Sequence, residues 1–246
     1  MGSRVKLISV CVVSLAASAS YARWSVDVEI GPVFSGYNDV RVPNDGGTKI
    51  SLSRELDTDP AFFYRFKAGY VFGDKHAVGV LVAPLRLKAG GSVPGVVVFD
   101  GVEIPADAPI YATYRFDSYR VSYRYNIVRR DVFTFGLGLT AKIRDAAITL
   151  KSGGVEGETT NTGFVPLLNF GLRWTFADKW TLLFDGDALA APQGRAEDVL
   201  AAVQYAVNEN FSLKTGYRML EGGADAEEVY SFAMLHYVVV GPSFEF

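Results

Sequence analysis

Cysteine is almost missing from this chain: Cys11 is the single one in 246 residues. It falls in an amino-terminal segment with a basic start (Arg4, Lys6), an apolar run over residues 7–19 that is too short to cross a bilayer as a helix, and a small-x-small ending, Ser20-Tyr21-Ala22. That order of features predicts a secretory signal peptide over residues 1–22, with Arg23 as the first residue after cleavage. The remainder has no cysteine, so an exported protein of this kind takes nothing from disulfides. Histidine is nearly as scarce. His76 and His236, well separated and with no thiolate to join them, predict no metal site and no cofactor. Beyond residue 22 no stretch approaches ~20 apolar residues, which excludes a membrane-spanning helix and leaves an exported soluble protein or a β-barrel. A basic excess is missing too. Without Arg4 and Lys6 the 24 basic residues become 22 against 27 acidic, a net charge of −5 with histidine neutral, and this is no footprint for nucleic acid. The pairs Gly90-Gly91, Gly153-Gly154 and Gly222-Gly223 precede no helix with a phosphate-loop lysine, so they read as loop glycines.

What the chain does have is alternation. Over residues 118–148 every second residue is apolar: Tyr119, Val121, Tyr123, Tyr125 and Ile127, then Phe133, Phe135, Leu137, Leu139, Ala141 and Ile143. Arg120, Arg124, Thr140, Lys142 and Arg144 fill the other side. A period of two is the mark of a strand, and two such runs about the polar 128–131 make an antiparallel hairpin. The unit recurs. Ten strands are expected, near 24–37, 61–72, 77–89, 111–127, 132–150, 163–176, 180–190, 198–207, 211–220 and 228–240. Connectors alternate between tight (73–76, 128–131, 177–179, 208–210) and long (38–60, 90–110, 151–162, 191–197, 221–227). Residues 23–246 therefore read as one all-β domain, a ten-stranded antiparallel up-and-down barrel with short turns at one end and long loops at the other.

Alternation alone does not say whether the apolar face meets a core or lipid. Aromatic residues collect at both ends of the strands: Trp174, Phe176, Trp180, Tyr125, Phe133, Tyr205 and Phe211 by the tight turns, and Phe62, Tyr64, Tyr111, Phe164, Tyr230 and Phe232 at the other end. The apolar faces carry almost no charge over the ~9–11 residues a tilted strand needs to cross hydrocarbon. The last strand closes on Val238, Val240, Phe244 and Phe246. On these residues the chain resembles the small outer-membrane β-barrel proteins of Gram-negative bacteria. The resemblance implies a transmembrane β-barrel in the cell outer membrane, with lipid and lipopolysaccharide as surroundings. It also implies a barrel assembly machinery that engages the terminal Phe246.

With lipid outside, the polar face lines the lumen. It is expected to carry an ion-pair network of Asp27, Glu29, Arg65, Arg120, Arg124, Lys142, Arg173, Asp185, Asp187 and Lys214, because charges buried in a narrow barrel need partners. Positive charge left over near the outer mouth, at Arg86, Lys88, Arg144 and Arg218, is expected to hold an anion such as a lipid phosphate or a carboxylate, to which arginine presents a bidentate fork. No catalytic residue is assigned. The ten-stranded omptin proteases resemble the chain in strand number only, and the lipid A deacylase type needs a His-x-Ser that His236 does not begin. Asp185-Gly-Asp187 imitates a carboxylate pair but reads as lumen ion pairing. The expected function is a non-enzymatic outer-membrane barrel with a charged, largely plugged lumen, structural or binding an anionic ligand or lipopolysaccharide, with a narrow passive channel for small anionic solutes or a lipid-modifying enzyme as the alternatives.

Overall fold

The computed structural model describes residues 23–192 and 194–246; the expected signal peptide, Cys11 included, lies outside them. The alternation becomes strands, in chain order β1 (Arg23–Arg41), β2 (Ile50–Ser51), β3 (Leu56–Thr58), β4 (Ala61–Phe72), β5 (His76–Ala83), β6 (Arg86–Gly91), β7 (Val97–Phe99) and β8 (Val102–Ile104). They continue with β9 (Ile110–Arg130), β10 (Phe133–Ser152), β11 (Val155–Ala177), β12 (Trp180–Ala191), β13 (Gly194–Ala206), β14 (Phe211–Asp225) and β15 (Tyr230–Glu245). β5 and β6 are two halves of one wall strand. Both pair with β9, on either side of Pro84, whose missing N–H interrupts the ladder. The wall thus has ten antiparallel strands, and it closes where β15 pairs with β1 from Ser25↔Glu245 to Arg41↔Tyr230. Closure pairs the first strand with the last, so neither end of the sheet is left as an open edge in hydrocarbon.

The two faces separate as the period of two requires. Val121, Leu137, Leu139, Leu168, Val80 and Val238 stand exposed on the outside, while Arg120, Thr140, Asn169 and Val239 are buried inside. At the short-turn rim the aromatic rings pack in pairs across strands: Trp24 on Tyr70 at 4.5 Å, Trp180 on Tyr205 at 4.9 Å and Phe211 on Phe244 at 5.0 Å between centroids. Phe62, Tyr64 and Phe164 are exposed toward the opposite rim.

Residues 38–60 and 90–110, expected as loops, are more ordered than that. β1, β9, β10 and β11 run on beyond the outer rim, β3 pairs with β6, and β7 pairs with β8. The cause is apolar content: Val40, Ile50, Leu52, Leu56, Val97, Phe99, Ile104 and Ile110 are all buried together with Leu87 and Leu150. Above the hydrocarbon the polarity of the wall therefore reverses, with apolar side chains inward and charges outward. Phe99 is fully buried in this cap. Phe99→Ala is expected to remove about 3–5 kcal/mol from the cap. Limited proteolysis should then cut within 38–60 and 90–110 at a lower protease dose, while the barrel keeps its heat-resistant folded band on a gel.

One feature of the wall positions everything that follows. β11 is paired with β10 along its whole length, down to Ser152↔Val155, but with β12 only between Leu168↔Ala188 and Ala177↔Trp180. Residues 155–167 have β10 on one side and, among the described residues, no paired strand on the other.

Candidate functional site

The lumen is crossed at mid-height by charge. Asp198 accepts hydrogen bonds from Arg65 at 2.9 Å and Arg120 at 2.6 Å, and is paired with Arg218 as well. Glu29 takes Arg218 in a two-pronged contact at 2.9 and 2.8 Å and Lys214 at 2.9 Å. Lys214 reaches on to Asp27 at 2.6 Å. Asp187 is held by Arg120 at 2.8 Å, the Thr140 hydroxyl at 2.6 Å and the Asn169 amide at 2.7 Å. Asp185 meets Arg124 at 2.7 Å and Lys67 at 3.5 Å. Each carboxylate has at least one cation, and the strands that bring them together (β1, β4, β9, β12, β13, β14) run from one end of the described chain nearly to the other. Buried ions are tolerated only with such partners, because desolvation of each costs several kcal/mol.

Several residues stand elsewhere than the sequence suggested. Arg86 and Lys88 do not face the lumen. They continue the outward row of Val78, Val80 and Val82, while Leu85, Leu87 and Ala89 point inward and are buried. Polar side chains mark the lumen only within the hydrocarbon; past the rim the outside is water, and Arg86 pairs there with Asp117. Arg218 is not at the mouth but inside the network, buried between Glu29 and Asp198. Arg173 faces inward at the short-turn end, half exposed, with Glu245 at 3.6 Å. The four residues expected to form one anion site are therefore not together; of them, Arg144 alone faces the upper lumen.

Asp198, with three arginine partners, is not among the residues the sequence suggests. It shares its face with Leu200, Ala202 and Gln204, all buried, and that parity was the signal available. The histidines stay apart from the network. His76 follows Asp74 by two residues at a tight turn, and its Nδ1 lies 2.8 Å from the Tyr123 hydroxyl. His236 shares a hydrogen bond with Tyr217 at 2.5 Å on the outer face.

Above the charge layer, in the outer half of the lumen, is a cavity of about 430 Å³. Its floor is Arg120, Asp187 and Asp198, and its walls are mostly apolar, among them Phe116, Ile148, Val165, Leu167, Leu189 and Leu220. Besides Arg120 in the floor and Arg195, which is paired with Glu221, two basic side chains look into it. Lys142 is only 4% exposed, with its ammonium 4.8 Å from the centre of the Phe116 ring. Among the described residues it has neither a carboxylate within 4.0 Å nor a hydrogen-bond partner, since Asp187 and Asp198 are taken by Arg120, Arg65 and Arg218. Arg144 donates to Asn161 through one terminal nitrogen, while its buried Nε has no partner. The opposite half of the lumen is filled, with Val33, Phe63, Leu235, Tyr237 and Val239 packed beneath the cap and Phe63 edge-on to Tyr237 at 4.8 Å.

No protein-family model matches the sequence, and no curated protein does. Solved structures do. The fold is similar to that of the outer membrane protease OmpT from Escherichia coli, with a TM-score of 0.58 over 91% of this chain and 97% of that one, at 10% identity. It also matches Ail, the attachment invasion locus protein of Yersinia pestis, with a TM-score of 0.42, 12% identity, and coverage of 91% and 99%. A closed antiparallel wall, an apolar outer belt between aromatic rims and a charged interior together give this chain the fold of the small outer-membrane β-barrels.

Proposed function

We propose that the protein sits in the bacterial outer membrane as a non-enzymatic barrel, sealed at mid-height by its ion pairs, that binds an anionic ligand in the cavity above the seal. The observation that carries this reading is Lys142, a buried basic side chain that looks into a cavity while Asp187, Asp198 and Glu221 around it are each engaged by an arginine. An unpaired ammonium in an apolar site is costly, and an anion supplied from outside removes that cost. The layer of Asp198, Arg65, Arg120, Arg218 and Glu29 spans the lumen from β1 to β13, and it supports a plug rather than a pore. Neither Asp185 nor Asp187 is free for acid–base work, since both are tied to cations.

Two measurements test this. Purified barrel in planar bilayers should stay electrically silent, and discrete anion-selective conductance would overturn the seal. Titration of the barrel with acetate and with inorganic phosphate should show binding that Lys142→Gln weakens about ten-fold, the worth of one charge-assisted hydrogen bond. Binding unchanged by that substitution would contradict the site.

A further inference from the structure

We infer that the cavity is filled from the side, out of the outer leaflet, by an amphiphile with one anionic head and one hydrocarbon chain, that is, a long-chain carboxylate. This rests on the reading of the cavity as an anion site and adds the ligand's class and route. The route is the slit between β11 and β12. Its lower end is the last pair, Leu168↔Ala188. Leu168 stands opposite Leu139 of β10, and Phe164 opposite Ile143. All four are exposed toward lipid, so the slit opens within the apolar belt and not only above it. Its rims are apolar, with Val165 and Leu167 on one side and Leu189 and Ala191 on the other, and all four line the cavity.

The sequence favours the opening. Pro166 has no N–H to offer a second neighbour, and proline within a sheet belongs at an edge or a bulge. An unpaired strand edge in hydrocarbon is costly and is tolerated only where it lines a cavity or is covered. Here it lines one. A volume of about 430 Å³ lies in the range of small-ligand pockets, roughly 300–1,000 Å³, too small for a lipid with several acyl chains. Apolar walls suit a hydrocarbon chain, which adds contact that a small free anion does not have. At the inner end Lys142 and the unpartnered Nε of Arg144 give the carboxylate charged donors.

The test uses the full barrel in lipid nanodiscs with a palmitate that carries a diazirine on its chain. Photolysis should label Val165, Leu167 or Leu189, mapped by mass spectrometry. Unlabelled palmitate should displace the label and hexadecanol should not. Lys142→Gln should cut the labelling about ten-fold. Leu189→Trp, on the opposite rim of the slit and not the cross-strand partner of Lys142, should abolish it, and this second variant decides the matter if Lys142→Gln fails to fold. Lys88→Ala, on the outer surface, should change nothing. Label confined to outward residues such as Leu139 or Val121, or label in the cavity indifferent to both variants, would overturn the inference. If acetate still binds through Lys142 in that case, the anion site stands and only the amphiphile and its route fall. If neither anion binds, both fall.

Discussion

Asp198→Asn is expected to cost the folded barrel about 3–5 kcal/mol, the range for removing one partner from a buried ion pair. The substitution keeps the shape and removes the charge. Three guanidinium groups, those of Arg65, Arg120 and Arg218, then lose their shared anion. Arg218 keeps Glu29 and Arg120 keeps Asp187, but Arg65 is left with Glu29 at 3.5 Å, a contact its Nε does not turn into a hydrogen bond. Urea unfolding from vesicles, followed by tryptophan fluorescence, reads the loss as a shift in midpoint at constant slope. A second change, Asp198→Asn with Arg65→Met, should recover part of the loss, because the stranded charge and not the missing bond is the larger cost. A single variant within about 0.5 kcal/mol of wild type, the usual size of a neutral surface change, would mean that the lumen is hydrated and the network does not hold it together.

The second large effect is expected on the other face. Leu139 is 64% exposed and stands between the aromatic rims, while its neighbour Thr140 is 2% exposed and bonded to Asp187 inside the barrel. Leu139→Arg puts a charge into hydrocarbon near mid-depth and should cost about 2–4 kcal/mol. On a soluble barrel with water outside, the same change on so exposed a residue would be neutral. The same unfolding assay separates the two cases, and a tolerated arginine would count against lipid on this face.

Much of this was legible from alternation. The rows that begin at Tyr119 and Phe133 gave the strand type, the pairing partner and the face of each residue, because a period of two survives in a single sequence. Three things were not legible, for different reasons. Arg86 and Lys88 are polar, but polar side chains mark the lumen only as far as the hydrocarbon reaches, and these two lie beyond it. The cap carries no strand signal because Val97-Val98-Phe99 and Val102-Glu103-Ile104 are too short to show a period, and their burial depends on residues from β1 and β9. The slit beside β11 depends on where pairing between two strands stops, which neither strand records by itself. Pro166 was its only local trace. Asp198 keeps its parity in the sequence, but its acidic neighbour Glu197 and the Gly-Arg-Ala before it have the composition of a solvated rim.

The central claim is that hydrocarbon, not a protein core, receives the outward face. All three tryptophans, Trp24, Trp174 and Trp180, are exposed at the short-turn rim, so the native protein carries its own depth markers. In vesicles of brominated lipids their fluorescence should be quenched strongly by bromine high on the acyl chain and weakly by bromine near its end. Tryptophans indifferent to bromine at any depth, in a protein that stays dissolved without detergent, would contradict the account.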